Sequence, residues 1–141
     1  MIRFAKPEDM SALLEIGERF YRLTEYVDAA PFDPVSVGNV IAHLMQNGAV
    51  IVSDDGGVTG VIGGMITPLW TNASVKVAQE AFWWSDADGT ALLDAFEAWA
   101  SVNGADVIRM GALAKSKAKV MARFYRRRGY SPDETFFMKA V

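Results

Sequence analysis

The chain has no cysteine and a single histidine, His43. The first absence excludes a disulfide framework and a thiolate zinc site, and it fits a reducing compartment. The second leaves no basis for a histidine metal centre or a Ser-His-Asp triad, because His43 sits off the apolar face of a helical pattern and reads as a surface residue. Long apolar runs are also missing. The greasiest stretch, residues 49–52 with 58–66, is interrupted by Asp54, Asp55 and five glycines, and it falls short of the ~18–20 apolar residues of a membrane span. Those glycines are too scattered for a dinucleotide or P-loop signature. The opening Met-Ile-Arg-Phe-Ala-Lys-Pro-Glu-Asp has no apolar run behind a basic start. No signal peptide and no membrane partner are expected, and a cytoplasmic protein is.

What is present suits one globular domain. There are 141 residues, 51% hydrophobic and 22% charged, enough for a sizeable core and unlike a disordered chain. Net charge is −3 but uneven: seven of the 14 Lys and Arg lie in residues 115–128, which hold no acid. Two readings stay open. The stripe is a site for an anionic ligand, or a solvated helix whose cations suit the negative end of its dipole.

The patterning predicts a strand over 2–5, then a helix from Pro7 to about Leu23 and a loop over 24–34. Asp33 reads as an N-cap with Pro34 in the first turn of a second helix, closed by Asn47-Gly48. Strands over 49–53 and 58–67 flank the hairpin signal Asp54-Asp55-Gly56-Gly57. Residues 68–74 read as a connection and 75–84 as a strand. The clearest helix spans 89–102. A short strand over 106–110, the basic helix over 115–128 stopped by Gly129, and a last strand over 135–139 complete the chain. This order mixes hairpins with crossovers and predicts a mixed α/β sheet.

Two segments carry a resemblance. Gly89-Thr90-Ala91-Leu92-Leu93, with the helix ending at Asn103-Gly104-Ala105, and Phe124-Tyr125-Arg126-Arg127-Arg128-Gly129-Tyr130 resemble the central helix and the C-terminal Φ-Tyr-x-x-x-Gly-(Phe/Tyr) motif of the GCN5-related N-acetyltransferases. The resemblance covers essentially the whole chain. Phe32-Asp33-Pro34 and Glu80-Ala81-Phe82-Trp83 are similar to small members often encoded by phages. It implies one domain over 1–141 with a mostly antiparallel central sheet flanked by helices. It also implies transfer of an acetyl group from acetyl-CoA to a primary amine of a small molecule or protein, with homodimers common.

By that resemblance Tyr125 protonates the departing thiolate. A phenol near pKa 10 and a thiol near 8.5 make the transfer energetically reasonable. Tyr125 also reads as ordinary packing on an apolar stripe. Glu80, the only acid on its strand, is the candidate base, or else a solvent-facing residue paired with Lys76. Strict alternation puts Ala78, Glu80, Phe82 and Trp84 on one face. The resemblance assigns the backbone of Phe82, Trp83 and Trp84 to the pantetheine arm and the amides of Gly89, Thr90 and Ala91 to the pyrophosphate.

The turn before the helix departs from the family's (Arg/Gln)-x-x-Gly-x-(Gly/Ala). Trp84 and Ala87 stand where the Arg/Gln and middle glycine belong, and about five loop residues are missing. Ala118 stands where an Asn often precedes the tyrosine. Asp86 and Asp88 repel a pyrophosphate by about 1 kcal/mol each. The shortened turn leaves three outcomes open: weakened acetyl-CoA binding, another anionic ligand, or a catalytically inactive fold binding a partner through its basic helix and aromatic strand end. Nucleic acid is a poor partner for so acidic a chain.

Overall fold

The computed structural model describes residues 1–87, 89–115 and 117–141. Asp88 of the shortened turn and Ser116 of the basic stretch lie outside the described residues. The elements are β1 (Ile2–Phe4), α1 (Met10–Tyr21), α2 (Pro34–Asn47), β2 (Ala49–Asp54), β3 (Val58–Leu69), β4 (Asn72–Ser85), α3 (Thr90–Val102), β5 (Val107–Arg109) and α4 (Ala118–Arg127). Single 3-10 turns fall at Pro7–Asp9 and Glu25–Asp28. Two compact units result, residues 1–17 with 33–111, and residues 18–32 with 112–141.

The first unit holds the sheet. Its strands lie in the order β1-β2-β3-β4-β5. The first three pairings are antiparallel and β4–β5 is parallel, the mixed sheet expected from hairpins followed by one helical crossover. Asp33 caps α2 by accepting from the Val35 amide at 3.1 Å, with Pro34 in the first turn. Leu13 and Ile16 of α1, Ile41 and Leu44 of α2, and Val50, Val52 and Val61 of the sheet form one buried cluster. On the opposite face glycines admit α3: a Cβ at Gly60 would sit 3.0 Å from Leu92 Cδ1, and one at Gly64 2.9 Å from Phe96 Cζ. Arg3 ties β1 to the start of α1 and the end of β2. Its guanidinium donates to both Asp9 oxygens at 2.7 and 2.9 Å and to Asp54 Oδ2 at 2.8 Å.

Strict alternation along β4 fails. Gly63 pairs with Phe82 but Gly64 pairs with Glu80, so Ala81 is an extra residue without an opposite number. Adjacent β3 residues face opposite ways, so Ala78 and Glu80 share one face while Phe82 and Trp84 take the other. Phe82 and Trp84 accordingly pack on the α1–α2 cluster, and Trp83 lies against Gly89 at the start of α3. The expected connection over 68–74 is also corrected. β3 and β4 run on to Leu69 and from Asn72, and a register irregularity at Pro68/Leu69 accommodates the proline in the ladder.

In the second unit the basic helix starts later than expected. Lys117 has φ 53, so the helix runs only from Ala118 to Arg127. Lys115 instead donates through its amide to Glu25 at 2.8 Å and through Nζ to Asp28 at 3.1 Å. Gly129, φ 91, stops α4 as expected. The expected strand over 135–139 is not formed. It has no ladder partner among the described residues, and Phe136 and Phe137 are 80% and 93% exposed. Aromatic content raises strand propensity, but a strand needs a neighbour to pair with.

Candidate active site

The site begins where β5 ends. β5 pairs with β4 only at Val77, Ala78 and Gln79, whereas β4 continues to Ser85. No strand borders that outer edge of β4 among the described residues. Such an edge is a template for the amides of an extended ligand. Glu80 is the first residue past the last pair. Its Oε2 accepts from the Gly111 amide at 3.0 Å. Burial of the half-buried carboxyl outweighs that bond and raises its pKa to about 7. Desolvation penalises the charged form more than one amide can offset. The alternative pairing with Lys76 is not made, since Lys76 Nζ donates to the Ala73 carbonyl.

At the start of α3 the first intrahelical bonds run from Leu92 and Leu93 to the Gly89 carbonyl. The amides of Gly89, Thr90 and Ala91 therefore precede the helical ladder, where amides favour an anion. The turn ahead of them is poorer in donors. The Asp86 amide is bonded to the Thr59 carbonyl at 2.9 Å, and the Ala87 amide to Ser85 Oγ at 3.3 Å. The donor set thus suits an extended, amide-bearing ligand along β4 and a reduced anion grip at α3.

The first unit therefore brings together Glu80, Phe82, Trp83, Trp84, Gly89, Thr90 and Ala91 on β4 and the start of α3. Tyr125 belongs to the second unit. There it is buried on α4 with its ring 5.4 Å from that of Tyr130. Sequence reasoning missed Gly111 and the bulge at Ala81. Neither has a local signal, because both depend on strands distant in sequence.

No family model and no curated protein matches the sequence. Solved structures do. An acetyltransferase from Trypanosoma brucei is 21% identical, with TM-score 0.68, over 100% of this chain and 99% of that one. A transcriptional regulator from Bacillus halodurans is 16% identical, with TM-score 0.77 and the same coverage. A predicted acetyltransferase from Clostridium acetobutylicum, solved with acetyl-CoA, is 13% identical, with TM-score 0.71, over 99% of this chain and 94% of that one. Likeness at these identities speaks for architecture. From β1 to its last residue, the chain has the fold of the GCN5-related N-acetyltransferases.

Proposed function

We propose that the chain transfers an acetyl group from acetyl-CoA to a primary amine. The observation that carries this reading is Glu80, a carboxyl of pKa about 7 at the point where β4 outruns β5. Acetyl-CoA supplies an activated thioester: the amine nitrogen bonds to its carbonyl carbon, the C–S bond breaks, and the amine loses a proton while the thiolate gains one. Glu80 takes the proton from the amine, directly or through water. Its pKa near the working pH balances availability against driving force. Tyr125 supplies the proton to the thiolate, a role that rests on its motif. The edge of β4 orients the arm, and the amides at Gly89, Thr90 and Ala91 hold the phosphates.

The test is calorimetric titration with acetyl-CoA, followed by thiol release with an amine panel. Micromolar binding, with Tyr125→Phe keeping affinity and losing rate, supports the enzyme. No binding at millimolar cosubstrate removes it. The internally bonded amides of Asp86 and Ala87 favour the second reading in that event, a non-catalytic module. Its exposed α4 cations Lys119, Arg123, Arg126 and Arg127 would bind an acidic partner, and charge reversal across them would release it.

A further inference from the structure

The segment after α4, residues 131–141, joins no ladder among the described residues and is exposed throughout. Phe136, Phe137 and Met138 are 80%, 93% and 53% exposed. Three adjacent large apolar side chains left in water mark a contact surface, unlike apolar residues scattered singly. Thr135-Phe136-Phe137-Met138-Lys139 holds no glycine or proline and suits an extended strand. The sheet, for its part, ends at β5, whose only partner among the described residues is β4. Val107 on β5 is 43% exposed, and neither a proline nor a bulge blunts that edge, so it is a template for one more strand.

Laid antiparallel with Phe137 opposite Ile108, the two sequences match position by position. Lys139 faces Asp106, Met138 faces Val107 and Phe136 faces Arg109. These are an opposite-charge, an apolar and a cation–aromatic pair, each of a kind that stabilises neighbouring strands. A parallel alignment about the same residue sets Lys139 against Met110 and loses the charge pair. β1, at the other edge of the sheet, offers no such match: residues 1–6 contain no acid to face Lys139. The wider charge pattern agrees. The segment belongs to the unit with ten bases and five acids, and β5 to the unit with four bases and 12 acids.

We infer that two copies of the chain form a two-fold dimer in which residues 135–139 of each add an antiparallel strand to β5 of the other. Each copy gives one segment and receives one, so the assembly closes.

The full chain has no cysteine, so introduced thiols are its only ones. Val107→Cys and Met138→Cys, one of them tagged, are mixed in equal amounts and oxidised under native conditions. A disulfide-linked heterodimer is expected, because opposed strand residues meet the geometry of the bond. Phe4→Cys on β1, at 59% exposure the more accessible position, should link to Met138→Cys about tenfold less. Light scattering of the wild-type protein should give twice the 15.4 kDa chain mass. Phe136→Glu with Phe137→Glu should raise the dimer Kd at least about 100-fold. Far-UV circular dichroism of that variant should keep its helical signal, since both side chains are exposed in the single chain. A monomeric wild type overturns the inference, as does a dimer indifferent to the double substitution. Equal linkage through Phe4→Cys overturns it too. So does a chain carrying both Val107→Cys and Met138→Cys that closes on itself as a monomer, because the segment would then add to its own β5.

Discussion

The Gly111 amide donates to Glu80 Oε2 across 3.0 Å, joining the bulged strand to the chain just beyond β5. One amide bond favours the carboxylate, and burial favours the acid. Burial prevails, with a pKa of about 7. The ionisation of Glu80 is thereby placed where a change of one pH unit alters its charge.

The first prediction is kinetic. In the wild-type protein kcat/KM rises with pH through an inflection near 7 as Glu80 loses its proton. Glu80→Gln lowers the rate by about 10²- to 10⁴-fold and abolishes that inflection. A pH–rate profile of both proteins with one amine decides it. An unchanged inflection in the variant would remove Glu80 as base.

The second concerns stability at the same residue. Between the ordinary value, 4.5, and about 7, the folded carboxyl holds a proton that the unfolded one has released. Stability therefore falls as pH rises through that window. Glu80→Gln, which can still accept from Gly111, is more stable than wild type by about 1–3 kcal/mol at about pH 8. The two are equal near pH 4. Urea melts at both pH values measure the difference.

Arg3 gives the opposite sign. Its hydrogen bonds hold the Asp9 pKa at about 2, below the ordinary 3.8, and lower Asp54 as well. A depressed carboxyl contributes stability above its unfolded pKa and loses it as pH falls toward the folded one. Arg3→Met is destabilising at neutral pH, and the penalty shrinks on acidification toward about pH 2. A loss that stays constant with pH would mean that Arg3 acts through packing alone.

Two glycines make a paired test. A Cβ at Gly64 would lie 2.3 Å from the Gln79 carbonyl oxygen, a backbone atom with little freedom to move. Gly64→Ala therefore costs about 2–4 kcal/mol. A Cβ at Gly38, within α2, meets nothing closer than Leu14 Cδ2 at 3.9 Å. Gly38→Ala gains about 0.5–1 kcal/mol from helix propensity. Thermal melts of the two variants should move in opposite directions.

The shortened turn predicts a gain in affinity. Asp86→Asn removes a negative charge next to the expected phosphate position without disturbing the amide bonded to Thr59. Acetyl-CoA affinity rises by about fivefold at low ionic strength, and the gain shrinks with added salt. Titration at two salt concentrations tests both statements.

Punctuation that acts over a few residues was legible in the sequence. Asp33 with Pro34, the Asp54–Gly57 hairpin, the α3 periodicity and the Gly129 stop all appear where their residue types point. The type and strand of Glu80 were legible too. Its environment was not, because Gly111 lies 31 residues away. The bulge escaped because Ala81 has no turn chemistry, and register there is settled by many β3 and β4 contacts together. Residues 68–74 read as a connection because the ladder irregularity at Pro68/Leu69 is a property of two strands, not one. The segment 135–139 misled in the opposite way. Its composition suits a strand, but composition cannot supply the neighbouring edge.

β4 is in effect a strand that counts to two separate origins, one on each side of Ala81. Deletion of Ala81 would remove the unpaired residue and leave the Gly63–Phe82 and Gly64–Glu80 pairs in place, whereas a single-codon deletion within Phe82-Trp83-Trp84 would move one of the remaining aromatics to the other layer. The same deletion at the Trp70-Thr71 tip, where Trp70 is 91% exposed, would shorten a loop. Along this hairpin the tip can drift in length over evolutionary time, while the reading frame of the strand behind it is held fixed.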